Sequence, residues 1–132
     1  VWTPRFEIDT NGKVGIGMNG QDLNDLLEVN GQIRAKEVLV ETINWPDYVF
    51  KKGYDLKPLQ EVEKYIEENG HLENVPSAEK VEKEGVQVGD MSNILLRKVE
   101  ELTLYVIEQN KKIEAQEKEL KELKKRLEKS QK

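Results

Sequence analysis

Residues 91–132 read MSNILLRKVEELTLYVIEQNKKIEAQEKELKELKKRLEKSQK, a run with neither glycine nor proline. With Val99 at heptad position a, the a positions fall on Val99, Val106, Ile113, Leu120 and Leu127. The d positions fall on Leu95, Leu102, Gln109, Gln116 and Leu123. An apolar seam that repeats every seven residues drifts around a straight helix unless helices supercoil about one another. A repeat held this long therefore predicts a left-handed coiled coil between chains, with these ten residues as its core. Roughly 40 residues of helix span roughly 60 Å, more than the rest of this chain needs. The competing arrangement is one long helix packed on a globular domain.

The upper part of the repeat carries more apolar residues than a seam requires. Leu96 stands at e, Leu104 at f, Tyr105 at g and Ile107 at b. A helix apolar nearly all round is buried nearly all round, so this part is expected to face sister helices on one side and its own chain on the other. Below Glu108 the b, c and f positions are polar or a small Ala, which predicts a bare stalk.

Residues 44–90 supply the covering module. The segment NWPDYVFKKGYDLKPL carries Trp45, Tyr48, Phe50 and Tyr54, half of the aromatic residues of the chain. Large rings with polar edges suit either an anchor that packs an irregular segment or a surface that binds glycan or peptide; packing is the favoured role. Pro58 suits a first helical position. Leu59, Val62, Tyr65 and Ile66 follow at helical spacing, and Asn69-Gly70 ends the helix. Ser77 is placed to cap a short helix closed by Gly85, with Val81 facing inward. Asp90 and Ser92 are candidate caps for the long helix.

Residues 1–43 look β-rich. Phe6 and Ile8 alternate with polar neighbours, Asn11-Gly12 is a hairpin signal, and Val14 and Ile16 alternate with Gly15 and Gly17. One side of that strand is branched and apolar while the other has no side chain, so another segment or chain can come close. Leu27, Val29, Ile33, Ala35, Val38 and Val40 continue an alternating pattern. Residues 22–26 fit a helical turn or a loop. The large apolar residues are too few for a private core, so equivalent strands of sister chains are expected to complete it. The expected organisation is thus a β shaft or prism segment over 1–43, an aromatic and short-helix module over 44–90, and a coiled-coil helix over 91–132. Together they make an α+β fibrous homo-oligomer.

Charge narrows the partners. The net charge is -5, but from Glu108 onward nine Lys or Arg and six Glu give +3. These signs alternate along the helix, which describes a solvated, ion-paired surface rather than a phosphate-binding block; no nucleic acid is expected. No apolar run approaches the roughly 18 residues of a membrane span. The chain opens VWTP, without Met, as a fragment or processed product would. Cysteine is absent and His71 is the single histidine. With one imidazole in a loop and carboxylates on solvent faces, no catalytic residue, metal ligand or cofactor site is expected, and His71 reads as a packing or hydrogen-bonding residue. GKVGIG lacks the third glycine and following helix of a dinucleotide site and the lysine of a phosphate loop.

Side-chain charges also set orientation. In a parallel, in-register pair each g position meets the next e position of its neighbour, which matches Lys112 with Glu117 and Glu119 with Lys124. Branched a residues with leucine at d favour two strands, a rule that weakens where d is Gln, and the glycine-rich β segment favours three. The heptads alone leave dimer and trimer open.

The stretch over residues 12–41, GKVGIGMNG…LLEVNGQIRAKEVLVE, resembles a repeat near the end of bacteriophage tail fibres and related bacterial surface proteins, with Met18 where threonine is usual. WPDYVF, LQEVEKYIEENGHL, VPSA and KVEELTLYVIEQNK are similar to the C-terminal module of tail-fibre-domain proteins of Bacteroidetes and their phages. The resemblance covers nearly the whole chain. It implies a parallel homotrimer, on a virion tail fibre or a bacterial cell surface, that registers and caps the end of a longer fibre or adhesin. Host glycan or protein would then be met through the parent fibre. The Ser-Asp, Lys and Asn run of self-cleaving fibre chaperones is missing, so the resemblance does not extend to self-cleavage.

Overall fold

A computed structural model describes residues 5–130. Residues 1–4 of the expected β segment and residues 131–132 of the expected coiled-coil helix lie outside the described residues. The chain is α+β: a small three-stranded sheet, then three helices, the last of them long. It divides into two compact units, one ending at Leu39 and the other beginning at Val40.

The first unit holds β1 (Phe6–Ile8), β2 (Val14–Ile16) and β3 (Leu27–Val29), in the order β1-β2-β3. β1 and β2 are antiparallel, pairing Phe6 with Ile16 and Ile8 with Val14. β2 and β3 are parallel, pairing Val14 with Leu27 and Ile16 with Val29. The hairpin signal at Asn11-Gly12 is realised with a three-residue loop instead of a two-residue one. The Gly12 amide donates to the Asp9 carbonyl at 3.1 Å, and the Asp9 amide to the Lys13 carbonyl at 2.9 Å. Only Gly12 takes positive φ, at 80°, which is a type I turn closed by a left-handed glycine. The Asp9 side chain explains the choice, since its Oδ1 accepts from both the Asn11 and Lys13 amides at 2.8 Å.

Of the two alternatives for residues 22–26, the loop is the one observed. One expectation for this region is corrected: the alternation through Ile33, Ala35, Val38 and Val40 forms no strand. A strand needs a neighbour for its backbone donors and acceptors, and no described segment of the chain pairs as a strand with residues 31–43. Ile33, Val38 and Leu39 are accordingly left exposed.

The second unit begins with a 3-10 turn at Asp47–Phe50, followed by α1 (Leu59–Asn69), α2 (Ala78–Glu84) and α3 (Val88–Ser130). Pro58 is the N-cap of α1 and not its first residue, so the helix begins one position later than expected, and Gly70 closes it in the left-handed region with φ 73°. Ser77 caps α2, its hydroxyl accepting from the Lys80 amide at 3.3 Å, and Gly85 closes it. α3 begins at Val88, earlier than expected. Neither Asp90 nor Ser92 is its cap: Asp90 lies within the first turn, and the Ser92 hydroxyl donates back to the Val88 carbonyl at 2.8 Å. Its 43 residues make a rod about 65 Å long.

Candidate oligomerisation surface

The sheet of the first unit sorts its side chains cleanly. Residues paired across strands point to the same side, so Phe6, Ile8, Val14, Ile16, Leu27 and Val29 share one face, and Glu7, Gly15 and Glu28 share the other. The glycine face is covered from within. Leu23, only 8% exposed, lies over Gly15, where an added Cβ would stand 2.9 Å from Leu23 Cδ2 and 3.0 Å from Glu7 Oε1. The Lys13 ammonium donates to the Leu23 carbonyl at 2.6 Å and so holds that loop down. The Glu28 carboxylate accepts from the Asn24 and Asp25 amides in the same loop. On the apolar face Phe6, Ile8, Ile16 and Leu27 are exposed, and Val14 and Val29 are half-buried. The glycine face thus receives a side chain of its own chain, and the branched face is the one left for something else.

The second unit shows the same division around α3. The 3-10 turn packs on this helix, and its Val49 is 1% exposed, with Pro46 also fully buried. Tyr54 donates to Glu101 Oε1 at 2.5 Å, and the Lys98 ammonium donates to Glu101 Oε2 at 2.8 Å. Burial, and then the bond to the Glu101 carboxylate, push the Tyr54 phenol well above its usual range. Tyr105 donates to the Lys57 carbonyl at 2.6 Å, and its phenol is also held up, chiefly by burial. Nearer the helix start, the Asn93 amide donates to Thr42 Oγ1 at 2.7 Å and to the Ile43 carbonyl at 2.9 Å. A Cβ on Gly89 would meet Val40 Cγ1 at 3.2 Å, so the small residue lets that segment lie close. Leu96, Leu104 and Tyr105, the expected extra apolar residues, are half-buried in consequence, while Ile107 remains exposed.

None of this cover reaches the seam. Leu95, Val99, Leu102, Val106, Ile113, Leu120, Leu123 and Leu127 are each between 47% and 63% exposed. Gln109 and Gln116, at the remaining d positions, are exposed as well. From Glu108 to Ser130 every residue of α3 is exposed, in keeping with the expected stalk. There Lys112 pairs within its own helix, 2.7 Å from Glu108.

The expected aromatic cluster is only partly brought together. The rings of Tyr48 and Tyr54 lie 6.0 Å apart, tilted by 43°. Tyr54 is half-buried, while Trp45 and Phe50 are 52% and 56% exposed. Sequence reasoning gave weight to the large rings and missed Pro46 and Val49, the two side chains that anchor this turn. Their hint was position, since the pair lies at i, i+3 among more conspicuous residues. His71 stacks edge-on against Tyr65 at 5.9 Å, and its Nδ1 lies 2.9 Å from the Leu72 carbonyl, which makes that nitrogen the donor.

No described helix is long and apolar enough to cross a membrane. Comparison of the chain with protein-family models, curated proteins and solved structures finds no match.

Proposed function

We propose that this chain is a structural trimerisation module that registers and caps the C-terminal end of a phage tail fibre or bacterial surface adhesin. The observation that carries this reading is the uncovered seam on α3. Eight apolar side chains follow one line at heptad a and d positions, interrupted at Gln109 and Gln116, and the chain covers the flank beside them but leaves the line itself open. Exposed apolar surface of this extent marks an interaction site, and seven-residue spacing is met by a second helix of the same kind, lying parallel. The apolar face of the small sheet has the same need, because its exposed Phe6, Ile8, Ile16 and Leu27 gain stabilisation only when they are buried. Three chains suit both surfaces, since three sheets close around an axis more readily than two. The resemblance to tail-fibre-domain proteins supports a fibre end, outside the cell or on the virion, as the position of such a module.

Leu102 stands near the middle of the densest layers, and Leu102→Asp puts a carboxylate there from every chain at once. Uncompensated buried charge costs on the order of 3–5 kcal/mol. The variant should lose assembly when followed by light scattering, while Lys111→Asp, at an outward f position, should keep it. A Leu102→Asp protein with the mass of the wild type overturns the proposal. A second reading, glycan or protein binding by a tip surface, draws on the exposed rings of Trp45, Tyr48 and Phe50. It requires those rings to stay exposed in the assembled protein.

A further inference from the structure

A cleft of about 590 Å³ opens between α1 and the upper part of α3. Protein interiors hold few voids larger than one water molecule, and a water occupies about 30 Å³, so this is no packing defect. One wall is the apolar side of α1, with Leu59, Val62 and Tyr65. The other is α3, with Lys98, Leu102 and Tyr105. α1 therefore presents an amphipathic face toward its own chain's long helix without closing on it. Arg97 lines the same cleft, and its buried Nε has no acceptor among the described residues.

The heptad positions of the α3 wall say what belongs there. Leu102 is a seam residue at d, and Lys98 and Tyr105 are g residues, so the cleft is continuous with the seam on its d and g side. In a parallel coiled coil the g side of one helix faces the e side of its neighbour. Thr103, at e, and Ile107, at b, are four residues apart and lie on one helix flank. Ile107 lies outside the seam and is 46% exposed, unlike the half-buried Leu96, Leu104 and Tyr105.

We propose that the cleft is the seat of the adjacent copy's α3, with the partner helix's Thr103 and Ile107 edge lying against Leu59, Val62 and Tyr65. α1 is then a buttress between chains: each protomer's α1 holds the helix of its neighbour, not its own. This rests on the parallel assembly proposed above and adds to it a defined contact.

The chain has no cysteine, so introduced thiols report without background. Full-length Val62→Cys protein and Ile107→Cys protein, one of them tagged, are unfolded together, refolded and treated with a short bis-maleimide. A covalent heterodimer joining the two is expected, and pairing Val62→Cys with Lys121→Cys, two heptads lower, should give none. Leu59→Cys probes the same wall should Val62→Cys fail to assemble. Two results overturn the contact while leaving the assembly intact: oligomers of full mass with no heterodimer, or a doubly substituted chain linked only within itself. A mass of one chain for the wild-type protein removes the assembly and the contact together.

Discussion

Asp9 shows how a single side chain selects among the backbone conformations that a turn signal permits. Asn11-Gly12 suits several hairpins, but a carboxylate two residues upstream captures both the Asn11 and Lys13 amides and fixes a three-residue loop. The bond from the Lys13 amide, ahead of the smaller contribution from Asn11, holds the Asp9 carboxyl below its ordinary 3.8. A group whose folded value is depressed contributes stability that is present above its unfolded value and lost as pH falls through the folded one. The hairpin should therefore weaken as pH drops below about 4. Amide shifts of Asn11 and Lys13, followed by NMR, are expected to move together with Asp9 titration. The corresponding acid step should vanish in Asp9→Asn, and an unchanged step in that variant would show that Asp9 does not govern the turn. Gly15 and Leu23 make the same point about packing. The glycine was legible as a place of close approach, but which side chain fills it depends on a loop whose path no local pattern specifies.

At the level of elements, the long helix was read almost whole. Its lack of Gly and Pro, its seven-residue repeat and the extra apolar residues above Glu108 all agree, and the structure divides it into a covered upper part and a bare lower part as those patterns require. The caps of α1 and α2 were equally legible, because Pro58, Gly70, Ser77 and Gly85 act within one turn of the helix ends they serve. The start of α3 was misplaced because the Gly at 89 reads as a break. It is tolerated inside the helix because Val40 and Thr42 lie against it. Residues 33–40 carry a strand's alternation without a strand, for want of a pairing neighbour among the described residues. The division of α3 leads to a prediction at this scale. The apolar layers from Leu95 to Val106 are uninterrupted, whereas Gln109 and Gln116 dilute the seam below. Removing residues 111–132 should thus lower the midpoint of thermal unfolding modestly while preserving the oligomer, as read by circular dichroism and light scattering together. Dissociation into single chains on that deletion would place the decisive layers in the stalk.

For the whole molecule, the two units pose one problem twice. In each, a polar or glycine-bearing side is satisfied by the chain itself, through Leu23 over Gly15 and through Tyr54 and the Lys57 carbonyl, which bond Glu101 and Tyr105 of α3. In each, the branched apolar side is left open. Burying one such side chain contributes roughly 1.5–3 kcal/mol, so an isolated copy forgoes much of the stabilisation its own sequence carries. Among the described residues Leu23 in the first unit and Val49 in the second are the buried hydrophobic core residues, so each unit has little with which to offset chain entropy. The proposed assembly would answer both deficits with the same operation. Sedimentation equilibrium of the full chain across a range of concentrations is the most direct test. Three times the 15.3 kDa chain mass is the expected result, and a folded protein that stays at one chain mass throughout would contradict it.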